Sequence, residues 1–475
     1  MSAPEKPLVA ARVALRCLGR SLSQRVAAMS FLRKWLLLGA LLGVVAGLGA
    51  VLFHLALTFA THVFLGLILG YRVPTPFAEG NSPGSLHLPS RGWLLPLVVA
   101  SGGLLAGILV FTFAPEAEGH GTDAAISAVH HNPRGVRARA VLVKIVASAL
   151  TIGSGGSGGR EGPTAQISAG FGSLLARALD LSPTDGRIAV SVGIGSGIGS
   201  IFGAPLGGAI LSAEILYRED IGVSALIPGI IASIIGYTVF SAFFGFTPLF
   251  GSAAAGYHFQ HPLQLLWFAI LGVVCGFVGL LYSKSFHGGV AAFAKLPGSR
   301  VLEPALGGLL VGLIGLAIPE VLGTGYGWIQ QGLGPQLLRI PLWIVLLLPL
   351  AKIVATTLSI GSGGSGGVFG PGMVIGAFVG AAAWRLLQPI APGVTHDPGP
   401  FVAVAMMACF GSIARAPLAV MLMVSEMTGS FQVLAPAMVA VGIASMIVSH
   451  FDDTIYRSQP RSRRELLRRG PLVQR

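Results

Sequence analysis

The chain has 475 residues, of which 53% are hydrophobic and only 10% are charged, and its formal net charge is +13. So few polar side chains cannot cover the surface of a water-soluble globule of this length, which excludes a soluble protein. The composition instead predicts an all-α polytopic membrane protein, because a helix satisfies its own backbone hydrogen bonds in lipid.

Basic residues cluster at both ends of the chain. Seven Lys or Arg side chains precede Trp35, and seven Arg side chains follow Tyr456. The positive-inside rule therefore predicts that residues 1–34 and 457–475 are cytoplasmic, and it explains the net charge without a nucleic-acid partner. The apolar run after Lys34 is about twice as long as the core of a signal peptide, so we expect it to remain as the first membrane helix.

Apolar segments follow one another along the rest of the chain. Segments of spanning length are predicted at 36–70, 93–114, 221–249, 262–283, 303–318, 340–358 and 432–449. Shorter segments, broken by glycine, are predicted at 139–152, 165–178, 187–216, 374–387 and 400–425. The polar stretch 71–92 is predicted to be an external loop. Broken helices are typical of transporters, which build their binding sites from them.

One glycine-serine run occurs twice. Residues 153–159 read GSGGSGG, and the same letters return at 361–367. Irregular backbone between apolar segments is tolerated at membrane depth only where it is buried in protein or lines a cavity. Lys144 and Lys352 each lie nine residues before their run, so the repeat extends beyond the glycines. We therefore divide the membrane domain into halves at 35–255 and 256–456, related by either an inverted or a parallel repeat.

The glycine runs also predict an anion site. A glycine-rich segment that leads into a helix exposes N–H groups at the positive end of the helix dipole. Such partial charges bind a dehydrated anion without holding it too tightly to leave. The first run leads into Arg160-Glu161-Gly162-Pro163, so Arg160 and Gly162 are candidate anion contacts.

Glu161 is an ionisable side chain within this predicted site. A carboxylate at membrane depth is costly and is functional by default. When ionised, it would occupy an anion position and block the path; when protonated, it would leave that position and carry a proton. The alternative is a structural ion pair with the neighbouring Arg160.

No cofactor or metal is expected. Cys17, Cys275 and Cys409 are scattered and form no CxxC pair. The GxGxxG spacing that begins at Gly153 lacks the βαβ context and the downstream acidic residue of a dinucleotide site.

The GREGP motif at 159–163, the GVFGP motif at 367–371 and the downstream Tyr456 resemble the CLC family of chloride channels and chloride/proton antiporters, over about 35–456. The resemblance implies an inverted repeat of about 18 tilted and broken helices, a homodimer in the lipid bilayer, and one anion pathway per subunit. Carried over by position, Glu161 resembles the external gating glutamate and Tyr456 the hydroxyl at the central anion site. Val368 and Phe369 resemble the backbone amide donors, and Lys144 and Lys352 match basic positions near the inner helices.

The chain departs from the family pattern at several positions. Where the family commonly has GSGIP, residues 119–123 read GHGTD, so His120 replaces the expected hydroxyl. Either His120 or the Gly121 amide donates to the anion, or the imidazole packs against the loop.

The internal proton glutamate of the family's antiporters would align with Ile215. Glu214 is a candidate for the internal proton route, and its alternative is a polar contact of the fold, since Glu426 occupies the equivalent position in the second half. The chain ends 19 residues after Tyr456, so no regulation by adenine nucleotides is expected.

Three functions remain open. We favour transport of chloride, or a similar monovalent anion, coupled to proton countertransport and gated by Glu161. The alternatives are a passive chloride channel of the same fold, gated by voltage or pH, and an intramembrane enzyme that uses Glu161 with His120 or Asp123. We expect a multi-pass protein of a bacterial inner membrane, with both termini cytoplasmic.

Overall fold

The computed structural model describes residues 23–26, 28–84, 91–252, 256–259 and 261–468. Outside this part of the chain lie Cys17 and six of the basic residues counted at the two ends: Lys6, Arg12, Arg16, Arg20, Arg469 and Arg475. The described residues form helices joined by turns and two isolated β-bridges. The prediction of an all-α polytopic fold is confirmed.

The first half is built from helices of very different lengths. They are α1 (Phe31–Thr61), α2 (Leu95–Phe113), α3 (Thr122–His131), α4 (Ala138–Gly153), α5 (Glu161–Ala178), α6 (Pro183–Phe202), α7 (Pro205–Glu214) and α8 (Leu226–Phe244). The second half continues with α9 (Leu263–Phe293), α10 (Glu303–Ala317), α11 (Tyr326–Gly332), α12 (Leu342–Gly361), α13 (Phe369–Leu387), α14 (Gly399–Ile413), α15 (Pro417–Met427) and α16 (Leu434–His450). A short helix, α17 (Arg463–Arg468), follows.

The helices of the two halves correspond in order. Helices α1 and α9 each have 31 residues. Helices α2, α5 and α8 begin 208 residues before α10, α13 and α16. Helices α2 and α10 pack against each other, as do α7 and α15. The repeated sequence therefore builds the same helices twice.

Two predicted apolar segments each divide into two helices. Segment 187–216 breaks between α6 and α7 at Gly203, and segment 400–425 breaks between α14 and α15 at Arg415. These two residues occupy equivalent repeat positions, and both have left-handed backbone, with φ of 65° and 54°. Glycine adopts this conformation freely. Arg415 is held there by its guanidinium, which donates to the carbonyls of Asp453 and Val448.

The two longest helices, α1 and α9, have an exposed face, whereas α5, α6 and α14 lie at the centre of the protein. In the part of the chain that the structure describes, six helical segments are long and apolar enough to cross a membrane. Large apolar side chains of α1 and α9, such as Leu52 and Phe277, are more than half exposed. By contrast, most of α5 and all of α14 are buried. Glycine allows these central helices to touch: a Cβ atom at Gly172 would lie 2.4 Å from the carbonyl oxygen of Ala189.

Candidate anion-transport site

The two glycine runs meet at the centre of the protein. The amide of Gly159 donates to the carbonyl of Gly367 at 2.7 Å, and the amide of Gly367 donates to the carbonyl of Gly159 at 2.7 Å. These glycines are equivalent residues of the two halves, so the contact is reciprocal. A reciprocal contact between equivalent residues is what an approximate two-fold relation between the halves would produce.

The loops before α3 and α11 complete this backbone arrangement. The backbone of Gly119, before α3, forms hydrogen bonds with the backbone of Gly364 and Gly366. The backbone of Gly323, before α11, forms hydrogen bonds with the backbone of Gly155 and Gly158. The irregular backbone of each half is therefore satisfied by the backbone of the other half, as a protein at membrane depth requires.

Lys144 and Lys352 form hydrogen bonds with the loops that precede α3 and α11. The Nζ atom of Lys144 donates to the carbonyls of Ala117 and Gly119 at 3.1 and 2.7 Å. The Nζ atom of Lys352 donates to the carbonyls of Val321 and Gly323 at 2.8 and 2.9 Å. Both lysines are fully buried. Each ammonium group therefore fixes the loop that precedes a central helix.

Glu161 is the first residue of α5 and is fully buried. Its Oε1 accepts a hydrogen bond from the Tyr326 hydroxyl at the start of α11. Its Oε2 accepts a hydrogen bond from the Gly370 amide in the first turn of α13, at 3.1 Å. The carboxylate thus lies where α5, α11 and α13 begin, bound by neutral donors.

Close approach around this carboxylate explains two glycines of the paired motifs. A Cβ atom at Gly159 would lie 2.3 Å from the Oε2 of Glu161, and a Cβ atom at Gly370 would lie 2.4 Å from the hydroxyl of Tyr326. Such distances are shorter than any real carbon contact, so a side chain at either position would displace the carboxylate or its donor.

Arg160 turns away from Glu161. Its Nη1 pairs with the Oε1 of Glu79 at 2.5 Å and lies 3.2 Å from the Nδ1 of His54. Its guanidinium also stacks on the Tyr326 ring, 5.0 Å from the centroid. The alternative explanation for Glu161, an ion pair with Arg160, is therefore wrong, since Arg160 uses Glu79 instead.

Glu79 belongs to the segment that was predicted as a loop, of which the structure describes 71–84 and 91–92. Burial alone would raise the pKa of its carboxyl group, but the Arg160 guanidinium outweighs burial and holds that pKa below its ordinary value. Glu79, His54 and Arg160 line a cavity of about 630 Å³. The cavity reaches Thr324, two residues before the Tyr326 that binds Glu161.

His120 and Tyr456 lie together beside the start of α3. Their ring centroids are 5.6 Å apart, and the His120 ring also contacts Phe286 at 5.8 Å. The buried Tyr456 hydroxyl meets no hydrogen-bond partner among the described residues, although the side chain of Thr122 lies beside it. The Nδ1 of His120 is likewise buried without a partner there. Such unpaired polar atoms are costly, and they point to a ligand.

Gly121 and Gly162 bring this loop against α5. Gly121 has a φ of 81°, and a Cβ atom there would lie 2.8 Å from the carbonyl oxygen of Gly162. A Cβ atom at Gly162 would lie 2.1 Å from the carbonyl oxygen of His120. The predicted anion contacts at His120, Gly121 and Gly162 are therefore neighbours in space, and Glu161 is adjacent to them along the chain.

Val368 and Phe369 lie at the start of α13. The Val368 carbonyl accepts a hydrogen bond from the Tyr282 hydroxyl at 2.9 Å, and the Phe369 ring packs against Phe202 and Phe410. The amide that binds the Glu161 carboxylate is that of the next residue, Gly370. Donation by the Val368 and Phe369 amides to an anion stays a prediction.

Sequence reasoning missed Tyr326 and Gly370. A signal for Tyr326 existed, because Gly119 and Gly121 recur as Gly323 and Gly325, 204 residues later. Tyr326 therefore begins the second-half helix that corresponds to α3. Gly370 was part of the quoted motif, but only the packing of α13 against α5 shows that its amide reaches the carboxylate.

Glu214 and Glu426 make reciprocal contacts at helix ends. The carboxylate of Glu214 accepts hydrogen bonds from the first-turn amides of α15, Leu418 at 3.1 Å and Ala419 at 2.7 Å. The carboxylate of Glu426 accepts from the amides of Leu206 at 3.0 Å and Gly207 at 2.8 Å, at the start of α7. This geometry favours the alternative of a polar contact of the fold.

Ile215, the position aligned with the internal proton glutamate, is fully buried. Its backbone carbonyl accepts a hydrogen bond from the Nε2 of Gln459 at 2.8 Å. An aliphatic side chain cannot exchange a proton, so Ile215 itself contributes only packing and this carbonyl.

Comparison with known proteins identifies the family. The family model described as voltage gated chloride channel matches residues 102–449, which include both glycine-rich motifs but not Tyr456. A relative from Ralstonia nicotianae, named putative chloride channel protein ClcB-like, is 32% identical over 388 residues, which cover 80% of this chain and 88% of the relative. The chain belongs to the CLC, or voltage-gated chloride channel, family.

Other CLC proteins resemble the chain over most of its length. The H(+)/Cl(-) exchange transporter ClcA of Salmonella paratyphi B is 29% identical over 437 residues, covering 88% of this chain and 85% of ClcA. A slow cyanobacterial Cl-/H+ antiporter matches in structure with a TM-score of 0.75 and 23% identity, covering 93% of this chain and 98% of that one.

A CLC-type fluoride/proton antiporter matches with a TM-score of 0.73 and 21% identity, covering 90% of this chain and 98% of that one. These solved structures show that the chain has the CLC fold. Membership of the CLC family makes the chain a multi-pass membrane transport protein, so the intramembrane-enzyme alternative is wrong.

Proposed function

We propose that this protein exchanges chloride, or a similar monovalent anion, for protons, and that Glu161 is its gate. The observation that carries the proposal is the buried Glu161 carboxylate, bound by the Tyr326 hydroxyl and the Gly370 amide where central helices begin. A carboxylate in such a place is a negative charge held by neutral donors, which is the chemistry that would also hold a halide. The similarity to the H(+)/Cl(-) exchange transporter ClcA supports the same function.

The anion is proposed to bind next to this carboxylate, on the side of His120 and Tyr456. Their unpaired Nδ1 and Oη atoms are donors that a dehydrated anion would satisfy. The amides of Gly121, Gly162, Val368 and Phe369 add partial positive charge from the same helix starts. Arg160 contributes its positive charge at the other end of the proposed anion path, where it lines the 630 Å³ cavity through which an anion would arrive.

The gate works by competition for one position. While Glu161 is ionised, its carboxylate keeps the Tyr326 and Gly370 donors and closes the path to anions. Protonation removes its charge and weakens both hydrogen bonds, since bonds to an ionised acceptor are about twice as strong. The neutral side chain then leaves, the anion passes, and the carboxyl group carries its proton in the opposite direction.

Purified protein in liposomes tests this proposal. An imposed chloride gradient is expected to drive uphill proton movement in the wild type. Glu161→Gln is expected to abolish proton movement while chloride flux continues, because glutamine cannot ionise. Glu219→Gln is the matched control, since Glu219 is exposed and its partner Arg461 lies 3.8 Å away. Chloride flux without proton movement in the wild type would support the passive channel instead. An unchanged proton flux in Glu161→Gln would overturn the assignment of the gate to Glu161.

The arrangement in the cell follows from the same proposal. We place the protein in a bacterial inner membrane as a homodimer surrounded by lipid, with residues 1–34 and 457–475 in the cytoplasm and the 71–92 loop outside. Reciprocal contacts such as Gly159 with Gly367 support a division into halves at 35–255 and 256–456. Cysteine labelling from either side of the membrane tests the orientation, and cross-linking in the membrane tests the dimer.

A further inference from the structure

Proton exchange requires a route from Glu161 to the cytoplasm, and the residues that the sequence offered for its inner half do not supply one. Ile215 cannot carry a proton. Glu214 is held by the two amides of Leu418 and Ala419 at the end of another helix. If the exchange proposed above takes place, water or another titratable group supplies the inner half of the route.

His120 has the geometry for that role. The residue is 9% exposed, and its Nδ1 is buried without a hydrogen-bond partner among the described residues. The imidazole is therefore enclosed, with one ring nitrogen free for a proton or a ligand. Its backbone carbonyl packs directly on Gly162, the residue that follows Glu161, so the imidazole and the gating carboxylate belong to one small region.

Charged and titratable groups surround this imidazole on several elements. Asp123 belongs to the helix that follows His120, Lys144 approaches from α4, and His287 approaches from α9. The Nζ of Lys144 already donates to the carbonyls of Ala117 and Gly119. The Oδ1 of Asp123 accepts a hydrogen bond from the Ser458 amide at 2.8 Å. His287 is only partly buried, and it contacts the same Phe286 ring as His120. The two imidazoles thus both lie against the Phe286 ring, and the Nε2 of His287 lies 3.1 Å from the carbonyl of Thr454.

We propose that His120 is the inner proton carrier of the exchange. A proton from cytoplasmic water forms a new N–H bond on the imidazole, as an O–H bond of the hydrated proton breaks. That N–H bond then breaks as an O–H bond forms, through a bridging water, on the Glu161 carboxylate. No atom is oxidised or reduced, and the imidazole returns to its neutral form. The transient imidazolium attracts the anion held beside Tyr456, which links the two transported ions.

His120→Asn tests the role of His120, because asparagine keeps an N–H donor near the Nδ1 position but does not titrate. The number of protons moved per chloride ion is expected to fall at least tenfold, whatever the change in chloride flux, since a proton-transfer group contributes ~10²–10⁴ in rate. His131→Asn is the control, because His131 is exposed and bonds only within its own helix, to Ser127. Its two fluxes are expected to match those of the wild type.

A second variant separates proton transfer from a structural role. His120→Ala is expected to lose proton flux, and added imidazole is expected to restore it in part, which a packing role would not do. An unchanged proton-to-chloride ratio in His120→Asn overturns the proposal, as does loss of both fluxes in Asn and Ala without rescue. Absence of proton movement in the wild type is a different result, because it would overturn the exchange function itself.

Discussion

The Tyr326 hydroxyl donates a hydrogen bond to the Glu161 carboxylate, across 165 residues of sequence. We predict that Tyr326→Phe accelerates chloride transport at neutral pH, because the ionised Glu161 loses one of its two donors. A hydrogen bond to a charged group contributes about 1.5–3 kcal/mol, so an increase of roughly ten- to hundredfold is expected. Chloride efflux from liposomes measures it.

The control for this variant is Tyr71→Phe. Tyr71 is also buried and lines the cavity near Arg160, but its hydroxyl makes no hydrogen bond among the described residues. Its removal should therefore leave the efflux rate unchanged. A slower Tyr326→Phe protein would mean that Tyr326 serves the passing anion rather than the closed gate.

Gly370→Ala should damage the site by overpacking. Its new methyl group would lie 2.4 Å from the Tyr326 hydroxyl and 3.1 Å from the Glu161 Oε2. We expect a destabilisation of about 1–3 kcal/mol, together with loss of proton coupling. Thermal unfolding in detergent and proton flux in liposomes measure these effects.

Gly442→Ala is the matched substitution in a helix. A Cβ atom at Gly442 meets nothing within 4 Å, so this variant should be as stable as the wild type or up to about 1 kcal/mol more stable. Equal stability of the two alanine variants would show that the packing around Gly370 can relax.

Glu214→Gln and Glu426→Gln should behave alike. Each carboxylate accepts two amide hydrogen bonds at the start of the equivalent helix in the other half, and glutamine can accept only through its single side-chain oxygen. We expect each variant to lose about 1–2 kcal/mol of unfolding free energy while its proton-to-chloride ratio stays unchanged. A ratio that falls in Glu214→Gln alone would place Glu214 on the proton route and would remove the reason for assigning that role to His120.

The Glu79–Arg160 ion pair should make stability depend on pH. The pKa of Glu79 is lower in the folded protein than its ordinary value near ~4.3, so its contribution is present above that value and is lost as the pH falls through the folded pKa. Glu79→Gln should therefore be less stable than the wild type at pH 7, with a difference that shrinks below about pH 4.

The loss of unfolding free energy in Glu79→Gln depends on how exposed the Glu79 side chain is. Glu79 is 27% exposed, so we expect about 2 kcal/mol rather than the ~3–5 kcal/mol of a fully buried pair. Thermal unfolding across pH measures it. Glu116→Gln, at the more exposed pair with Arg137, should cost less. A pH-independent difference for Glu79→Gln would show that the hydrogen bond, rather than the charge, stabilises Arg160.

Much of the architecture was predictable from the sequence, because its causes are local. Apolar composition required helices in a membrane, and the duplicated run at 153–159 and 361–367 indicated two matching halves. The carboxylate of Glu161, two residues after the first run, indicated the gate. The left-handed break at Arg415 was not predictable, since an arginine adopts that conformation only when distant carbonyls hold it.

Only the tertiary structure decided how these parts meet. It paired Arg160 with Glu79 rather than with Glu161, and it brought Tyr326 to the gating carboxylate. It also placed the unpaired atoms of His120 and Tyr456 side by side. The physical reason is that helix formation and membrane insertion depend on neighbours along the chain. A hydrogen bond or ion pair depends instead on which residues the folded backbone brings within 3 Å or so.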